Sequence, residues 1–199
     1  MGKAARLIVR RWLGVLAVAA AASAGAQDYS IEGYCRDGAP HGAYELRGGN
    51  GQVRVVGAFT RGKRTGSFLY WSAAGTRIAQ LPFDDDVLSG TLALWYPPTD
   101  RRGEARRQLE APYVTGRLHG TKRSWFPDGR LRAEYRYDKG TLIDAHAYSE
   151  TGKALGVVEA QALAATDLAG DDRSYAVLAE LVRTHRPPCT PGSDRLERG

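Results

Sequence analysis

The residues best suited to acid-base or metal chemistry in this chain are its histidines, and two of them recur at one kind of position. His41 and His119 each directly precede a glycine, Gly42 and Gly120, that begins a repeated sequence unit described below. Such recurrence favours a role in a turn over a catalytic role. The other two histidines are isolated, and no H-x-x-x-H or H-E-x-x-H spacing occurs. Histidine chemistry is therefore not predicted.

Three consecutive aspartates, Asp84 to Asp86, resemble a cation site at first sight. Calcium sites use about six to eight oxygens from spaced residues, whereas this run occupies a position where other units have a turn. We favour a solvated turn over a calcium site. The glycine-rich segments 62–67 and 116–122 do not fit the G-x-x-x-x-G-K-[ST] phosphate loop, and no G-x-S-x-G motif occurs. The sequence predicts no catalytic residue, metal site or cofactor, and a protein that is not an enzyme.

The strongest candidate for binding is a set of aromatic and basic side chains. Trp71, Trp95 and Trp125 stand at equivalent positions of three repeated units, so they could form a ladder that holds a partner or glycan rings. The alternative is that these rings pack beneath the C-terminal helices. A loop between the second and third tryptophans adds two arginine pairs, which are either solvated or an anion-binding patch: Arg101, Arg102, Arg106 and Arg107.

An internal repeat determines the architecture that must position these side chains. The leading glycines of four units, Gly42, Gly66, Gly90 and Gly120, are spaced 24, 24 and 30 residues apart. Each unit reads as strand, tight turn, strand, tight turn, and its second strand alternates apolar and polar residues, with Arg132 on the predicted polar face of the fourth unit. In the first strand of the fourth unit the apolar pattern weakens. Stacked β-hairpins that share one apolar face are therefore predicted.

The C-terminal part of the chain is predicted to cover that apolar face. Val157 to Leu168 and Ser174 to Arg183 each carry an apolar stripe with helical spacing. The sequence Gly170-Asp171-Asp172 is expected to separate two helices, and the two aspartates together with Ser174 are expected to cap the second one. The predicted fold class is mainly β with a C-terminal α-helical tail, in which two helices pack on one face of an elongated antiparallel sheet.

The repeated units resemble the MORN-repeat variant found in YwqK-family antitoxins, which run approximately G-x-W-x-x-Y-x-x-x-G followed by Y-x-x-G-x-x-x-G. The resemblance covers residues 40–153, as four to four-and-a-half units. It implies a β-hairpin repeat protein that binds another protein, a toxin being one candidate partner. The motif describes a hairpin and not a catalytic site.

The N-terminus has the features of an export signal. Basic residues, then the apolar run Trp12 to Ala22, then Ala24-Gly25-Ala26 predict a signal peptide over residues 1–26, with an uncleaved anchor as the alternative. The mature chain would start at Gln27, have no integral membrane span and be periplasmic or secreted. Without four signal-segment cations, the formal net charge falls from +6 to +2. This removes the main argument for a nucleic-acid partner.

The two cysteines are predicted to pair, because disulfides persist in exported proteins. Cys35 lies in an N-terminal segment, 27–39, and Cys189 ends a helical tail, 154–189, that precedes a disordered C-terminus, 190–199. Their bond would return the tail to the first repeat. Free thiols or an intermolecular bond are the alternatives. The functional prediction is an exported, non-catalytic repeat scaffold that binds another protein, and the alternative is an envelope glycan or anion binder.

Overall fold

Twelve strands and one helix make up the described part of this computed structural model, which covers residues 28–98 and 105–190. The elements in chain order are β1 (Tyr29–Arg36), β2 (Ala39–Gly48), β3 (Val53–Thr60), β4 (Lys63–Trp71), β5 (Arg77–Asp84), β6 (Val87–Leu88), β7 (Gly90–Trp95), β8 (Arg107–Val114), β9 (Arg117–Leu118), β10 (Gly120–Trp125), β11 (Leu131–Asp138), β12 (Thr141–Ala147) and α1 (Val157–Thr184). The predicted signal peptide, most of the loop that carries Arg101 and Arg102, and residues 191–199 lie outside the described residues.

The strands form one antiparallel sheet in which neighbours along the chain are neighbours in space. The order is β1-β2-β3-β4-β5-β7-β8-β10-β11-β12, with the two-residue strands β6 and β9 paired to β5 and β8. The four predicted units correspond to the hairpins β2–β3, β4–β5, β7–β8 and β10–β11. Strand β1, from the predicted N-terminal segment, adds one strand to the edge of the sheet. The mainly β, hairpin-repeat prediction is confirmed.

Two-residue turns with positive φ at both positions connect successive hairpins, as the right-handed twist of adjoining strands requires. Four of the five have glycine at the second position, and the third has Asp86 at φ 72°. Each of the four later turns bonds to the residue two positions after the preceding turn, for example through the Gly62 N–H, which donates to the Pro40 carbonyl at 2.8 Å. Asp86 is held in the glycine position by the backbone N–H and side chain of Arg64, which donate to its carboxylate.

A β-bulge recurs near the end of the first strand in each of the four units. At each bulge the second strand has one extra residue, and such a residue is re-aimed relative to the regular alternation. In the second unit the extra residue is Ile78, which packs against the hydrophobic core. In the fourth unit it is Arg132, which bonds to the helix. Arg132 therefore does not follow the polar face of its strand as the alternation predicted.

The hydrophobic core lies between one face of the sheet and α1, and we call this face the inner face. Its centre is aromatic, with Tyr44, Phe59, Phe68 and Phe83 in successive edge-on or tilted contacts. The helix contributes five buried side chains: Ala160, Ala164, Tyr175, Leu178 and Val182. Burial of one sheet face by the C-terminal helical tail confirms the coarse layer arrangement that the sequence predicted.

The prediction of two helices is wrong, because α1 is one continuous helix of 28 residues. Gly170, Asp171 and Asp172 are helical residues, and the Ser174 hydroxyl donates to the Gly170 carbonyl at 3.1 Å within the helix instead of capping a new one. A 28-residue helix is about 42 Å long, and the ten-strand path of the sheet is about 43 Å wide. One helix therefore spans the whole sheet, from β12 at its start to β1 beyond its end.

Candidate functional site

The three tryptophans lie on the face of the sheet that α1 does not cover, which we call the outer face. In β4, Phe68 and Tyr70 are buried toward the helix, and the next residue, Trp71, faces the other way. The same alternation places Trp95 after Leu94 on the outer face. Trp125 follows a buried inner-face residue in β10 in the same way. The alternative that these rings pack beneath the helical tail is therefore wrong.

Strand register aligns these tryptophans with residues of the adjoining strands. The pairs are Arg47 with Val53, Trp71 with Arg77, Trp95 with Arg107, and Trp125 with Leu131. We call these eight residues, which lie on eight neighbouring strands, the tryptophan row. The row lies where each hairpin enters its longer loop, so the loop with the predicted arginine pairs is next to Trp95. At about 4.8 Å per strand, the row is about 34 Å long.

The middle ring of the row is covered by two arginines. The Arg77 guanidinium lies over Trp95 with its Cζ 4.2 Å from the ring centroid, and the Arg107 Cζ lies 4.5 Å from the same centroid. Trp95 is only 7% exposed as a result of this packing and its place in the middle of the sheet. Its ring cannot stack on a ligand, and its role is to hold two cations in fixed positions.

Trp71 and Trp125 are partly exposed, and their contacts hold the backbone instead of enclosing the ring. The Arg54 Nε–H donates to the Trp71 carbonyl at 3.1 Å, and the Tyr96 hydroxyl donates to the Trp125 carbonyl at 3.0 Å. Both bonds immobilise main chain at the strand ends. The two rings therefore remain accessible on a rigid support, which is the arrangement expected of aromatic anchors in an interface.

The four predicted binding arginines have different placements. Arg101 and Arg102 lie outside the described residues. Arg106 donates from Nη1 to the Pro127 carbonyl at 3.2 Å, beside Trp125. Arg107 lies over Trp95 and forms an ion pair with Glu110 at 3.0 Å. The structure thus brings the second arginine pair to the tryptophan row.

A second polar site, which the sequence analysis did not identify, lies beneath the helix at the fourth unit. Lys122, which is 1% exposed, donates from its ammonium group to Asp171 of α1. One turn earlier on the helix, Asp167 accepts hydrogen bonds from both Arg132 terminal nitrogens, at 2.6 and 2.9 Å, and from the Tyr135 hydroxyl at 2.9 Å. Two cations of the sheet are therefore matched by two carboxylates of the helix.

Burial dominates the electrostatics of this second site. It raises the pKa of Asp171 despite the attraction of Lys122. Burial and the neighbouring Asp167 also raise the pKa of Tyr135, whose hydroxyl therefore stays protonated and acts as a donor. Each side chain is already bonded to a partner and lies beneath the helix. The arrangement suits docking of the helix in one register, a role well attested for buried polar groups.

Helical spacing could have revealed this site. The helix residues that meet the sheet are 160, 164, 167, 171, 175, 178 and 182, which is one unbroken stripe at intervals of three and four. The two aspartates interrupt its apolar pattern. On the sheet, Lys122 takes the position that Tyr44, Phe68 and Leu92 fill in the other units. The available signal was a cation in the apolar pattern of the sheet together with two carboxylates in the apolar pattern of the helix.

The remaining candidates for chemistry lie in turns. The Arg61 N–H approaches His41 Nδ1 at 3.5 Å, and the Lys139 N–H approaches His119 Nδ1 at 3.4 Å, which are equivalent contacts in two units. Asp85 forms an ion pair with Lys63 at 2.9 Å. Within 28–98 and 105–190, no cluster of three histidine, cysteine, aspartate or glutamate side chains could hold a metal ion.

The cysteines form the predicted intramolecular disulfide. Cys35 of β1 is bonded to Cys189, and the two Cα atoms are 5.6 Å apart. The Tyr44 hydroxyl, which donates to the His185 carbonyl at 2.8 Å, holds the same end of the tail. The bond therefore joins the end of the helical tail to the first edge of the sheet.

In the part of the chain that the structure describes, no helix has both the length and the apolar character needed to cross a bilayer. Comparison of the whole sequence with models of known protein families finds no match, and a search of curated proteins finds no significant similarity.

Proposed function

We propose that this protein is an exported, non-catalytic β-repeat scaffold that binds another protein through the tryptophan row. The observation that supports the proposal is that the two faces of the sheet have different roles. The helix covers the inner face, whereas the outer face presents Trp71 and Trp125 beside stacked arginines. Tryptophan and arginine are, with tyrosine, the residue types enriched among the energetic centres of protein interfaces.

The rigidity of the row supports recognition of a partner without large rearrangement. Its residues lie in hydrogen-bonded strands of a ten-strand path, with a bulge at the same point of each unit. Anchors on strands need less ordering on binding than anchors on free loops, so less of the contact energy is lost. A repeated strand surface of this kind accommodates a partner by contact area instead of enclosing a small substrate.

Export is supported by the predicted signal peptide and by the disulfide, because such bonds persist in oxidising compartments. The resemblance of the repeats to YwqK-family antitoxins makes a secreted toxin the first partner to test. The alternative of a glycan ladder has weaker support. Trp71 and Trp125 are separated by four strand spacings, about 19 Å, and the ring between them is covered by arginines. A continuous stacking platform for sugar rings is therefore missing along this row.

Site-specific photo-crosslinking tests the proposed surface. A benzophenone amino acid replaces Trp71 or Trp125 in separate variants, and Val177, which is 58% exposed on the helix, serves as the matched control position. The variants are exposed to the secreted and envelope proteins of the source organism. We expect one protein to cross-link at both row positions and not at the helix position.

Purified complexes then provide the quantitative test. Trp71→Ala and Trp125→Ala should each weaken binding of the cross-linked protein by on the order of 30-fold, the range of an energetic centre in an interface. Val177→Ala should leave the affinity unchanged. Circular dichroism and an intact disulfide control for folding. Equal cross-linking from Val177, or unchanged affinity in both tryptophan variants, would show that the row is not the binding surface.

A further inference from the structure

We propose that the tryptophan row binds an extended acidic segment of its partner, with carboxylates at Arg77 and Arg107 and apolar side chains at Trp71 and Trp125. This inference rests on the proposed function and adds the chemistry of the partner. It arises from charge, from the way the two arginines are held, and from the distance between the accessible rings.

Among the described residues, positive charge exceeds negative charge along the row and in the loops that adjoin it. Five arginines are present: Arg47, Arg77, Arg106, Arg107 and Arg130. Three carboxylates accompany them, each in an ion pair with one arginine: Glu45, Glu110 and Asp128. Arg77 forms no ion pair with any residue in the described ranges. A guanidinium in the centre of the row that has no ion-pair partner among the described residues favours an anionic group of the partner.

The helix on the opposite side of the molecule does not compete with the row for an acidic partner. Helix α1 carries five carboxylates and two arginines along its sequence. Asp167 and Asp171 are paired with cations of the sheet, and Glu180 is paired with Arg183. The remaining charges of the helix are two carboxylates and one arginine, so the helix itself has no excess of positive charge.

Stacking on Trp95 orders the two central arginines before any carboxylate binds. Both guanidinium groups lie over the Trp95 ring, which fixes their positions and leaves the N–H groups at their edges available for bonding. Arg107 already uses one of its nitrogens for Glu110, whereas no hydrogen bond of the Arg77 side chain occurs within the described structure. Pre-organised donors lose little conformational freedom when they bind an anion.

The distance between the accessible rings sets the length of the segment. Trp71 and Trp125 are four strands apart, about 19 Å, and an extended peptide advances about 3.3 Å per residue. Two apolar residues about six positions apart would therefore reach both rings, with acidic residues between them over the central arginines. A peptide satisfies both requirements in one chain, because it can place apolar side chains at the two rings and carboxylates between them.

Synthetic peptides test this pattern against the intact protein. The probe is Leu-Glu-Glu-Asp-Glu-Glu-Leu, and the controls are the isosteric peptide Leu-Gln-Gln-Asn-Gln-Gln-Leu and a permuted acidic peptide with adjacent leucines. Tryptophan fluorescence reports binding directly, because Trp71, Trp95 and Trp125 all belong to the row. The remaining tryptophan, Trp12, lies in the predicted signal peptide, so the protein used is the mature chain from Gln27. Polygalacturonate is the glycan probe.

We expect the acidic probe to bind at least tenfold more tightly than either peptide control, with an affinity that decreases as salt is raised from about 50 to 300 mM. Arg77→Gln and Arg107→Gln should each weaken binding about tenfold. Arg173→Gln, an exposed change on the helix, should have no effect. Equal affinity of the glutamine peptide, or tighter arginine-dependent binding of polygalacturonate, would overturn the inference.

The same variants separate this inference from the proposed function. The inference fails alone if Trp71→Ala abolishes binding of the cross-linked partner while Arg77→Gln and salt leave it unchanged. Both fail if the tryptophan and arginine variants all retain wild-type affinity for that partner.

Discussion

The inner and outer faces of the sheet are built from the same strands yet use cations in opposite ways. On the inner face, Lys122 is 1% exposed and its charge is matched by Asp171 of the helix. On the outer face, Arg77 lies over an aromatic ring and has no carboxylate partner among the described residues. The buried cation fixes a neighbouring element of the same chain, whereas we propose that Arg77 meets an anionic group of another molecule.

The difference shows how a repeat can be specialised at one unit without changing its architecture. The first three units fill the inner-face position two residues after the leading glycine with Tyr44, Phe68 and Leu92, and the fourth has Lys122 there. The hairpin and its bulge are retained in the fourth unit. Burying an ion is costly unless a partner is supplied, so this position specifies where α1 must dock.

The largest expected effect comes from releasing the helical tail from the sheet edge. The Cys35–Cys189 bond closes a loop with a sequence separation of 154 residues. By chain entropy, Cys35→Ser with Cys189→Ser should therefore lower the free energy of unfolding by about 5 kcal/mol. Denaturant titration of both proteins with and without reductant measures the change. A loss below about 1 kcal/mol would mean that packing alone holds the tail.

Breaking the buried pair should be the next most costly change. Asp171→Ala leaves the Lys122 ammonium group unpaired beneath the helix and should lower the free energy of unfolding by about 3–5 kcal/mol. Lys122→Leu combined with Asp171→Leu gives this unit the apolar position of the others and should recover most of that loss. If the double variant is as unstable as the single one, the ion pair is not the cause.

Two buried tyrosines on the inner face provide a smaller and closely matched test. Tyr135 donates its hydroxyl to Asp167, whereas the buried Tyr70 hydroxyl has no hydrogen-bond partner in the described structure. Tyr135→Phe should cost about 1–2 kcal/mol in thermal or chemical denaturation, and Tyr70→Phe should be neutral or stabilising. Equal losses would indicate that packing and not the polar site determines the effect.

The smallest expected effects are opposite pH dependences of two carboxyl groups. Burial raises the pKa of Asp171 in the folded protein. The stabilisation that comes from this raised pKa is complete below the ordinary pKa of 3.8 and is lost as pH rises through the folded-state pKa. For Asp86, burial alone would raise the pKa, but hydrogen bonds from Arg64 hold it below 3.8. The stabilisation that comes from this lowered pKa is present above pH 3.8 and is lost as pH falls through the folded-state pKa of Asp86.

Denaturation between about pH 3 and 7 should separate these two contributions. As pH rises, the free energy of unfolding of the wild type should fall relative to that of Asp171→Asn. Over the same pH range it should rise relative to that of Asp86→Asn. Each slope is compared with that of Asp172→Asn, a change at an exposed helix position. Slopes of the same sign for both test variants would contradict the assignment.

The repeat, the hairpins and the pairing of the cysteines were predictable from sequence because their causes are local or compositional. Glycine phase and period-two alternation depend on neighbours within one unit, and the two cysteines had one intramolecular pairing available. The positions of the tryptophans were predicted as equivalent slots, but their face was not. Alternation along a strand does not decide which side of the sheet the helix covers. It therefore could not decide whether the tryptophans lie beneath the helix or on the opposite face.

Only the tertiary structure decided that α1 is continuous and which charges it buries. Glycine lowers helix stability by about 1 kcal/mol relative to alanine, so Gly170 beside two aspartates reads locally as a break. The helix on either side of Gly170 is held by the sheet. Asp171 bonds to Lys122, 49 residues away in sequence, and Asp167 bonds to Arg132, 35 residues away. The sequence by itself determined each hairpin through short-range patterns. Docking of the helix depended on complementary charges distant in the chain, whose proximity exists only after the sheet has formed.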